Sequence, residues 1–246
     1  MEATFAEWRR GGSPTRGGLV LAWQDLQAGS GWGVIEHTGE PKAAWYGLKR
    51  AWRPMQLAMT DEGVNGLDLH LINEGPAPVS ARVELACLRE GQVPILSASR
   101  EVTLAPRSVA LIDGFDLVGS FFDLTYAYHF GPPEHDAVTA RLIGSDDALL
   151  AEAVYFPQGR GATRPAPNVT ARAERDGESW VLVLATDWLA QSVHIADPGF
   201  RPDDDWFHLT PRRERRVRLH RRPATPAEAI PSGEARGLGG RWRAAY

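Results

Sequence analysis

The 246-residue sequence has little of several things, and each shortage excludes something. Its single cysteine, Cys87, excludes an intrachain disulfide framework. It has no run of about 18 apolar residues, so no helix spans a membrane and no membrane partner is implied. The stretch from Met1 to Arg10 lacks the basic start and apolar core of a secretory signal, and a cytoplasmic location is expected. Charge of one sign is not in excess: the formal net charge is -4, which gives no global reason to expect nucleic acid. Lysine is scarce, with only Lys42 and Lys49, and arginine takes its place. What is present is ordinary for a folded protein, with 43% hydrophobic and 24% charged residues, so disorder throughout is excluded. The nine tryptophans are many for this length. The length suits one large domain or two sandwiches of about 100 residues each.

The pattern changes near residue 54. Before it, Phe5 and Trp8 fit a short helix that stops at Gly11-Gly12. Leu19-Val20-Leu21-Ala22-Trp23 is a short apolar run of the kind that forms a strand buried on both faces. A Gly-rich loop follows from Gln24 to Gly33. Pro41 then opens a second helix carrying Ala44, Trp45, Leu48 and Trp52, and Pro54 stops it. Strand, loop and helix together make one βα unit.

After Pro54 the period is two. Leu67, Leu69 and Leu71 alternate with polar neighbours, and so do Val83, Leu85 and Cys87. With Asn73-Glu74-Gly75-Pro76 between them, the two runs read as an antiparallel hairpin. Further strands are expected at 101–104, 108–113, 122–129, 137–143 and 149–156, about the seven of an immunoglobulin-like sandwich. Residues 157–167 read as a linker. A second β block follows, with strands around 169–173, 180–184 and 193–195 and a hairpin turn at Arg175-Asp176-Gly177-Glu178. Phe207-His208-Leu209 and Val217-Arg218-Leu219 close it, with Pro211 at the turn between them. Beyond His220 the Pro, Ala, Gly and Arg composition predicts an extended tail.

Residues 32–50 resemble the end of the catalytic barrel of β-mannosidases in glycoside hydrolase family 2. In that family a Trp-Gln at the end of the eighth strand precedes a Trp-x-x-ϕ-Asp-x-x-Gly-x-x-Lys-Ala turn and the eighth helix. Trp23-Gln24 matches the first element, and Lys42-Ala43 to Lys49-Arg50 match the last. One or two immunoglobulin-like domains then follow, and Asp203-Asp204-Asp205-Trp206-Phe207-His208-Leu209-Thr210-Pro211 is similar to a segment of the second. The resemblance covers most of residues 1–220. It implies a mainly β chain, with the last βα unit of a (β/α)8 barrel followed by two immunoglobulin-like β-sandwich domains. The expected boundaries are 1–53 for the barrel end, 54–160 and 161–222 for the sandwiches, and 223–246 for the tail.

A whole barrel needs about 250 residues, so only its end fits here. Retaining glycosidases use two carboxyl groups about 5 Å apart, and in this family both are glutamates after earlier strands. No residue of this chain matches them, so no catalytic residue is assigned. One departure bears on substrate. The family's Trp-Gln-x-Asn-Asp-x-Trp-Pro-Gly becomes Trp23-Gln24-Asp25-Leu26-Gln27-Ala28-Gly29-Ser30-Gly31-Trp32, two residues shorter and without the Asn-Asp and Trp-Pro.

The resemblance makes Trp23 the best candidate substrate-binding residue, since an indole at the C-terminal end of a barrel strand can floor a pyranose ring. On pattern alone it reads as a core Trp. Gln24 and Asp25 are the further candidate substrate-binding residues, in the same loop and able to bond sugar hydroxyls; the alternative is that they face solvent, the expected placement for Asp25. Trp32, Trp45 and Trp52 are expected to pack, and Glu36 to cap or lie at the surface. The histidines are scattered without zinc spacing, the Asp203–Asp205 run lacks a calcium-loop pattern, and neither metal nor cofactor is expected. Cys87 reads as a small buried hydrophobe. The basic run 212–222 lacks interleaved aromatics and reads as an edge strand with arginine outside. The expected function is therefore the C-terminal part of an enzyme releasing terminal β-D-mannose, not catalytic alone. Its partners would be a β-mannoside or related glycan and a missing barrel half, or self-association. The alternatives are a non-catalytic carbohydrate-binding module and a nucleic-acid-binding module through residues 212–222.

Overall fold

The structure, a computed structural model, describes residues 1–15, 17–161 and 166–246. The described residues fall into two compact units, one up to residue 161 and one from residue 166. Residues 162–165 of the expected linker lie outside the described residues, and its flanks, 157–161 and 166–167, carry no strand or helix. Among the described residues no helix is long and apolar enough to cross a membrane.

The first unit begins with α1 (Glu2–Arg9) and α2 (Ala43–Ala51). Glu2 in the first turn and Arg9 in the last suit the helix dipole. Seven strands follow: β1 (Met55–Asp61), β2 (Leu67–Asn73), β3 (Val79–Arg89), β4 (Val93–Leu104), β5 (Ser108–Asp113), then, after the short α3 (Gly114–Val118), β6 (Ala137–Gly144) and β7 (Leu149–Tyr155). They form two antiparallel sheets, ordered β1-β2-β5 and β4-β3-β6-β7. The alternating residues face each other across the core. Leu67, Leu69 and Leu71 come from one sheet, and Val83, Leu85 and Cys87 with Val138, Ala140 and Leu142 from the other. Each fully buried Leu contributes roughly 1.5–3 kcal/mol. Burial pushes the Cys87 thiol up to about 12, so it is an inert core residue.

Seven strands match the expected number, but two details differ. Residues 122–129 form no strand, and β1, whose Met55, Leu57 and Met59 alternate weakly, takes the place. The expected hairpin of residues 67–72 with 79–87 does not form. β2 pairs with β1 and β5, and β3 with β4 and β6. The cause is Asn73, which is 1% exposed. Its amide donates to the carbonyls of Ala77 (2.9 Å) and Ala105 (3.0 Å), and its oxygen accepts from Gly75 N (3.0 Å). These bonds satisfy backbone groups where the chain leaves one sheet for the other, which a simple turn would leave unpaired.

Residues 1–53 pack on this unit through α1. Arg9 reaches the carbonyls of Ala51 and Arg53, Gln56 Oε1 (2.5 Å) and Glu74 Oε1 (2.7 Å). Phe5, Val34, Leu48 and Ala51 form a small apolar cluster of their own. The strand expected over Leu19–Trp23 is not formed. Its Trp23 end is joined to Val34 and Ile35, where Gln24 makes an isolated bridge, but among the described residues no ladder forms along Leu19–Ala22, and Leu19 and Leu21 stand in solvent. A strand needs a partner edge, and among the described residues none pairs with Leu19–Ala22.

The second unit has eight strands: β8 (Val169–Asp176), β9 (Ser179–Thr186), β10 (Ala190–Ala196), β11 (Phe200–Pro202), β12 (Phe207–Leu209), β13 (Arg215–Arg221), β14 (Glu234–Arg236) and β15 (Arg243–Ala245). Its sheets are ordered β12-β10-β14-β15 and β11-β13-β9-β8. The β8–β9 hairpin turns on Gly177 (φ +61°), a backbone angle that suits glycine at the first turn position. Leu182, Leu184, Val193, Ile195, Phe207, Val217 and Leu219 fill the core.

Three expectations are corrected here. β12 and β13 lie in different sheets and do not close a hairpin. β13 is not an edge strand, because β9 pairs on one side and β11 on the other. Its arginines do face out: Arg216 and Arg218 sit opposite the buried Val183 and Val181, which their aliphatic stems can cover. The tail is not extended. β14 pairs with β10 and β15, and Ala235 is fully buried against the core. The edge of β10 supplied a partner that tail composition could not reveal.

Candidate functional site

Trp23, Gln24 and Asp25 lie at the head of the loop that runs back to Gly33. The backbone there is fixed from one side. The Trp23 carbonyl accepts from Val34 N and Ile35 N (both 3.1 Å), and Asp25 N donates to Ile35 O (3.0 Å). Trp23 is 54% exposed, so it is presented rather than packed. The Gln24 side-chain amide donates to the carbonyls of Glu36 (3.2 Å) and His37 (3.3 Å), tying this loop to the next turn.

Asp25 departs from its expected solvent-facing placement, since its side chain is only 7% exposed. Oδ1 accepts from Gly33 N (2.7 Å), and Oδ2 is paired with Lys42 Nζ. The Lys42 hydrogen bond holds this carboxyl below the usual carboxylate range, helped by the Gly33 amide. Gly33 is required for the closure, because a Cβ there would stand 2.5 Å from Asp25 N. The result is a small knot with Asp25 at its centre and Trp23 on its outside. Sequence reasoning missed Lys42 as Asp25's partner. The available signal was its scarcity, one of two lysines, in the matched turn.

The other tryptophans divide. Trp45 packs partly on the Phe5 cluster, and Trp52 meets Phe5 edge-on at 5.6 Å. Trp32, expected to pack, is 91% exposed, because the chain offers nothing to cover it. Glu36 lies in the turn before α2, accepting from Thr38 Oγ1 (3.3 Å), as a turn residue would.

Among the described residues one group has metal-ligand proximity: oxygens of Glu62 and Asp68 and a nitrogen of His70 lie within 4.8 Å of one another. The Arg10 guanidinium already stands 2.7 Å from Glu62 and 3.9 Å from Asp68. Thr60 Oγ1 is 2.9 Å from His70 Nε2 and donates to Glu62. The cation position is thus held by arginine, and the group acts as a clasp between α1's end and the sheet. Burial, then the Glu62 and Asp113 charges, raises Asp68. Burial lowers His70.

In the second unit the acidic run is structural. Asp204 pairs with Arg215 (2.6 Å), whose guanidinium lies over the Phe207 ring. Asp205 accepts from Ile195 N and Trp206 N and meets His194 Nδ1 at 2.8 Å, and His194 stacks on Trp206. In the basic run, Arg216 pairs with Glu174 and Glu214 with Arg172.

No protein-family model matches the sequence, and no curated protein matches it significantly. Solved structures do match in fold. A β-D-mannosidase from Dictyoglomus thermophilum superposes with a TM-score of 0.75 at 18% identity, over 91% of this chain and 26% of that one. An exo-chitosanase from Amycolatopsis orientalis superposes with a TM-score of 0.69 at 13% identity, over 100% of this chain and 32% of that one. The chain therefore spans about a quarter to a third of the length of these enzymes.

Proposed function

We propose that this chain is the C-terminal part of a β-mannosidase-like retaining glycoside hydrolase: the last βα unit of the barrel with the two sandwiches that follow it. The observation that carries the reading is the fold likeness over nearly the whole chain to part of a β-D-mannosidase. It acquires weight from the independent Trp23-Gln24 and Lys42–Arg50 match at the expected place before the sandwiches.

On this reading the Trp23 indole floors a sugar ring, and Gln24 and Asp25 set its position. Asp25 acts by fixing the loop rather than by touching the glycan, because Gly33 and Lys42 engage both its oxygens. Hydrolysis would need a carboxyl pair supplied by earlier barrel strands, so the 246 residues alone do not turn over substrate. Their glycan is a terminal β-mannoside. The shortened loop after Gln24 and the exo-chitosanase likeness make a β-glucosaminide the alternative to include. The apolar side chains of residues 19–32 meet the rest of the barrel, or another copy where it is missing.

The test pairs two measurements. Coding DNA upstream of Met1 is expected to continue in frame through barrel strands bearing two glutamates. The purified 246-residue chain is expected to release no nitrophenol from aryl β-mannoside or aryl β-glucosaminide. Turnover by the chain alone overturns the reading. A non-catalytic carbohydrate-binding role is the second reading, favoured by the exposure of Trp23 and Trp32. Calorimetric heat with manno-oligosaccharide, lost in Trp23→Ala, would support it.

A further inference from the structure

The β1–β2 turn and the start of β2 gather more negative charge than the first unit neutralises there. Glu62 follows β1 directly. Asp68 and His70 lie two residues apart on β2, on the face opposite Leu67, Leu69 and Leu71. Asp113 of β5 stands directly across from Asp68 in the register, where like charges repel. Glu7 of α1 also acts on His70. Among the described residues, Arg10 is the one cation paired with any of these four carboxylates. It meets Glu7 at 3.1 Å and Glu62 Oε1 at 2.7 Å, but stays 3.9 Å from Asp68. Burial, then Glu62 and Asp113, hold Asp68 above the usual carboxylate range, and Arg10 offsets this only in part. Arginine fills the cation position incompletely.

His70 gives a second, independent sign. Thr60 Oγ1 donates to Glu62 Oε1 (2.7 Å), so its oxygen accepts from His70 Nε2–H at 2.9 Å. Nδ1 is left as a lone-pair acceptor. His70 is 1% exposed, and among the described residues nothing reaches Nδ1. A buried polar atom without a partner calls for an explanation, and a bound ion is one of the ordinary ones. A ring nitrogen of His70 lies within 4.8 Å of oxygens of both Glu62 and Asp68. One imidazole and two carboxylates suit zinc, whereas calcium and magnesium favour six or more oxygens. Tetrahedral zinc holds its ligand atoms about 3.4 Å apart, so the three would close by about 1.4 Å at most.

We propose that Glu62, Asp68 and His70 form a zinc site, and that Arg10 is the exchangeable cation which zinc displaces. Arg10 is partly exposed and already has Glu7 as a second resting place. On binding, zinc takes the His70 nitrogen that faces the carboxylates and pins the β1–β2 turn. The end of α1 loses one fastening, while Arg9 keeps its own on Gln56 and Glu74. No zinc spacing shows in the sequence, because one ligand comes from a turn and two from alternate strand positions. The site stands apart from the glycan reading and does not rest on it.

The test titrates zinc chloride into the 246-residue chain, following the heat and the His70 ring proton shifts together. One equivalent is expected to bind and to move the His70 signals. Asp68→Asn and Glu62→Gln are each expected to weaken binding at least about tenfold. Arg10→Gln is expected to tighten it about fivefold, because the competitor is gone. Melting each variant without zinc checks its fold, and Glu62 and Arg10 are both exposed enough to change safely. Calcium chloride at the same concentration is expected to leave the His70 signals in place. The proposal is overturned if the parent binds no zinc at millimolar concentration, even where Arg10→Gln does, since arginine would then be a permanent occupant. It is overturned if Asp68→Asn and Glu62→Gln bind as well as the parent, which would put the ion on another of the seven histidines. Binding no tighter in Arg10→Gln, or calcium taking the site in place of zinc, overturns it too. None of these outcomes bears on the proposed function.

Discussion

Residues 19–32 and residues 230–246 make an instructive pair. The first stretch has the apolar content of a strand, yet Leu19, Leu21, Leu26 and Trp32 stand almost wholly in solvent. The second has the composition of a tail, yet it folds into β14 and β15 and buries Ala235. Local sequence ranks them in the wrong order. What separates them is a free edge. β10 offers its backbone to β14, whereas among the described residues the Leu19–Trp23 run is joined to a neighbour at its Trp23 end alone, beside Val34 and Ile35. Pairing with a neighbour, more than intrinsic preference, decides whether a segment becomes a strand.

The largest effect is expected from deleting residues 230–246. This uncovers the β10 edge and the core around Ala235, where Trp242 and Tyr246 also pack. A loss of several kcal/mol is expected, a large share of a domain's usual 5–15 kcal/mol. Urea unfolding of the second unit would show it, and an unchanged midpoint would refute the role given to the edge.

A smaller effect is expected from Gly33→Val, which sets a side chain against Asp25 N. It should open the knot at a cost of about 1–3 kcal/mol. Amide exchange over residues 24–35 would report it, with protection in β3 and β6 intact.

Acidification tests the first unit in another way. Burial depresses His135, which otherwise lies near Leu124 O, Asp123, Glu134 and Asp136. Burial and then Arg10 depress His70, against the opposing Glu62 and Glu7. Both histidines lie below the ordinary 6.5 when folded, so the unfolded chain binds more protons. Their contribution is complete above pH 6.5 and declines as pH falls from there to the folded values. Asp68 is raised instead, so it opposes this decline in the acid range. Thermal melting between pH 7.5 and 5 should show the fall, and His135→Gln should flatten it.

The smallest stability effect belongs to Leu19→Ser/Leu21→Ser/Trp32→Ser. Melting should move by no more than about 0.5 kcal/mol equivalent per site, because these side chains touch little. Sedimentation should show less self-association at high concentration. A large drop in stability would mean that the stretch is covered after all, and would erase the contrast with the tail.

The faces of the strands were legible, and their pairings were not. The alternation of Leu67, Leu69 and Leu71 and of Val83, Leu85 and Cys87 places each side chain on its correct side. It carries no information about which strand lies alongside, and the buried Asn73 sends β3 to the other sheet. The same holds for β13, whose out-facing arginines fit an edge strand and an inner strand equally. At the site, Trp23 stands out by residue type. Asp25's environment does not, since its partners Gly33 and Lys42 arrive only when the loop closes. The Phe121–Phe130 rings fall in a stretch whose alternation mimics a strand, and only the structure shows them turned outward.

The Arg9 guanidinium, clamped between Ala51, Gln56 and Glu74, has a consequence for what a protease would leave behind. α1 is fastened to β1 and α2 by side chains, with Arg50–Glu2 as a second fastening at 2.6 Å. Cutting the open stretch between Gly17 and Trp32 would sever the backbone without releasing the leading peptide. Two fragments would migrate together on a sizing column and separate only in denaturant.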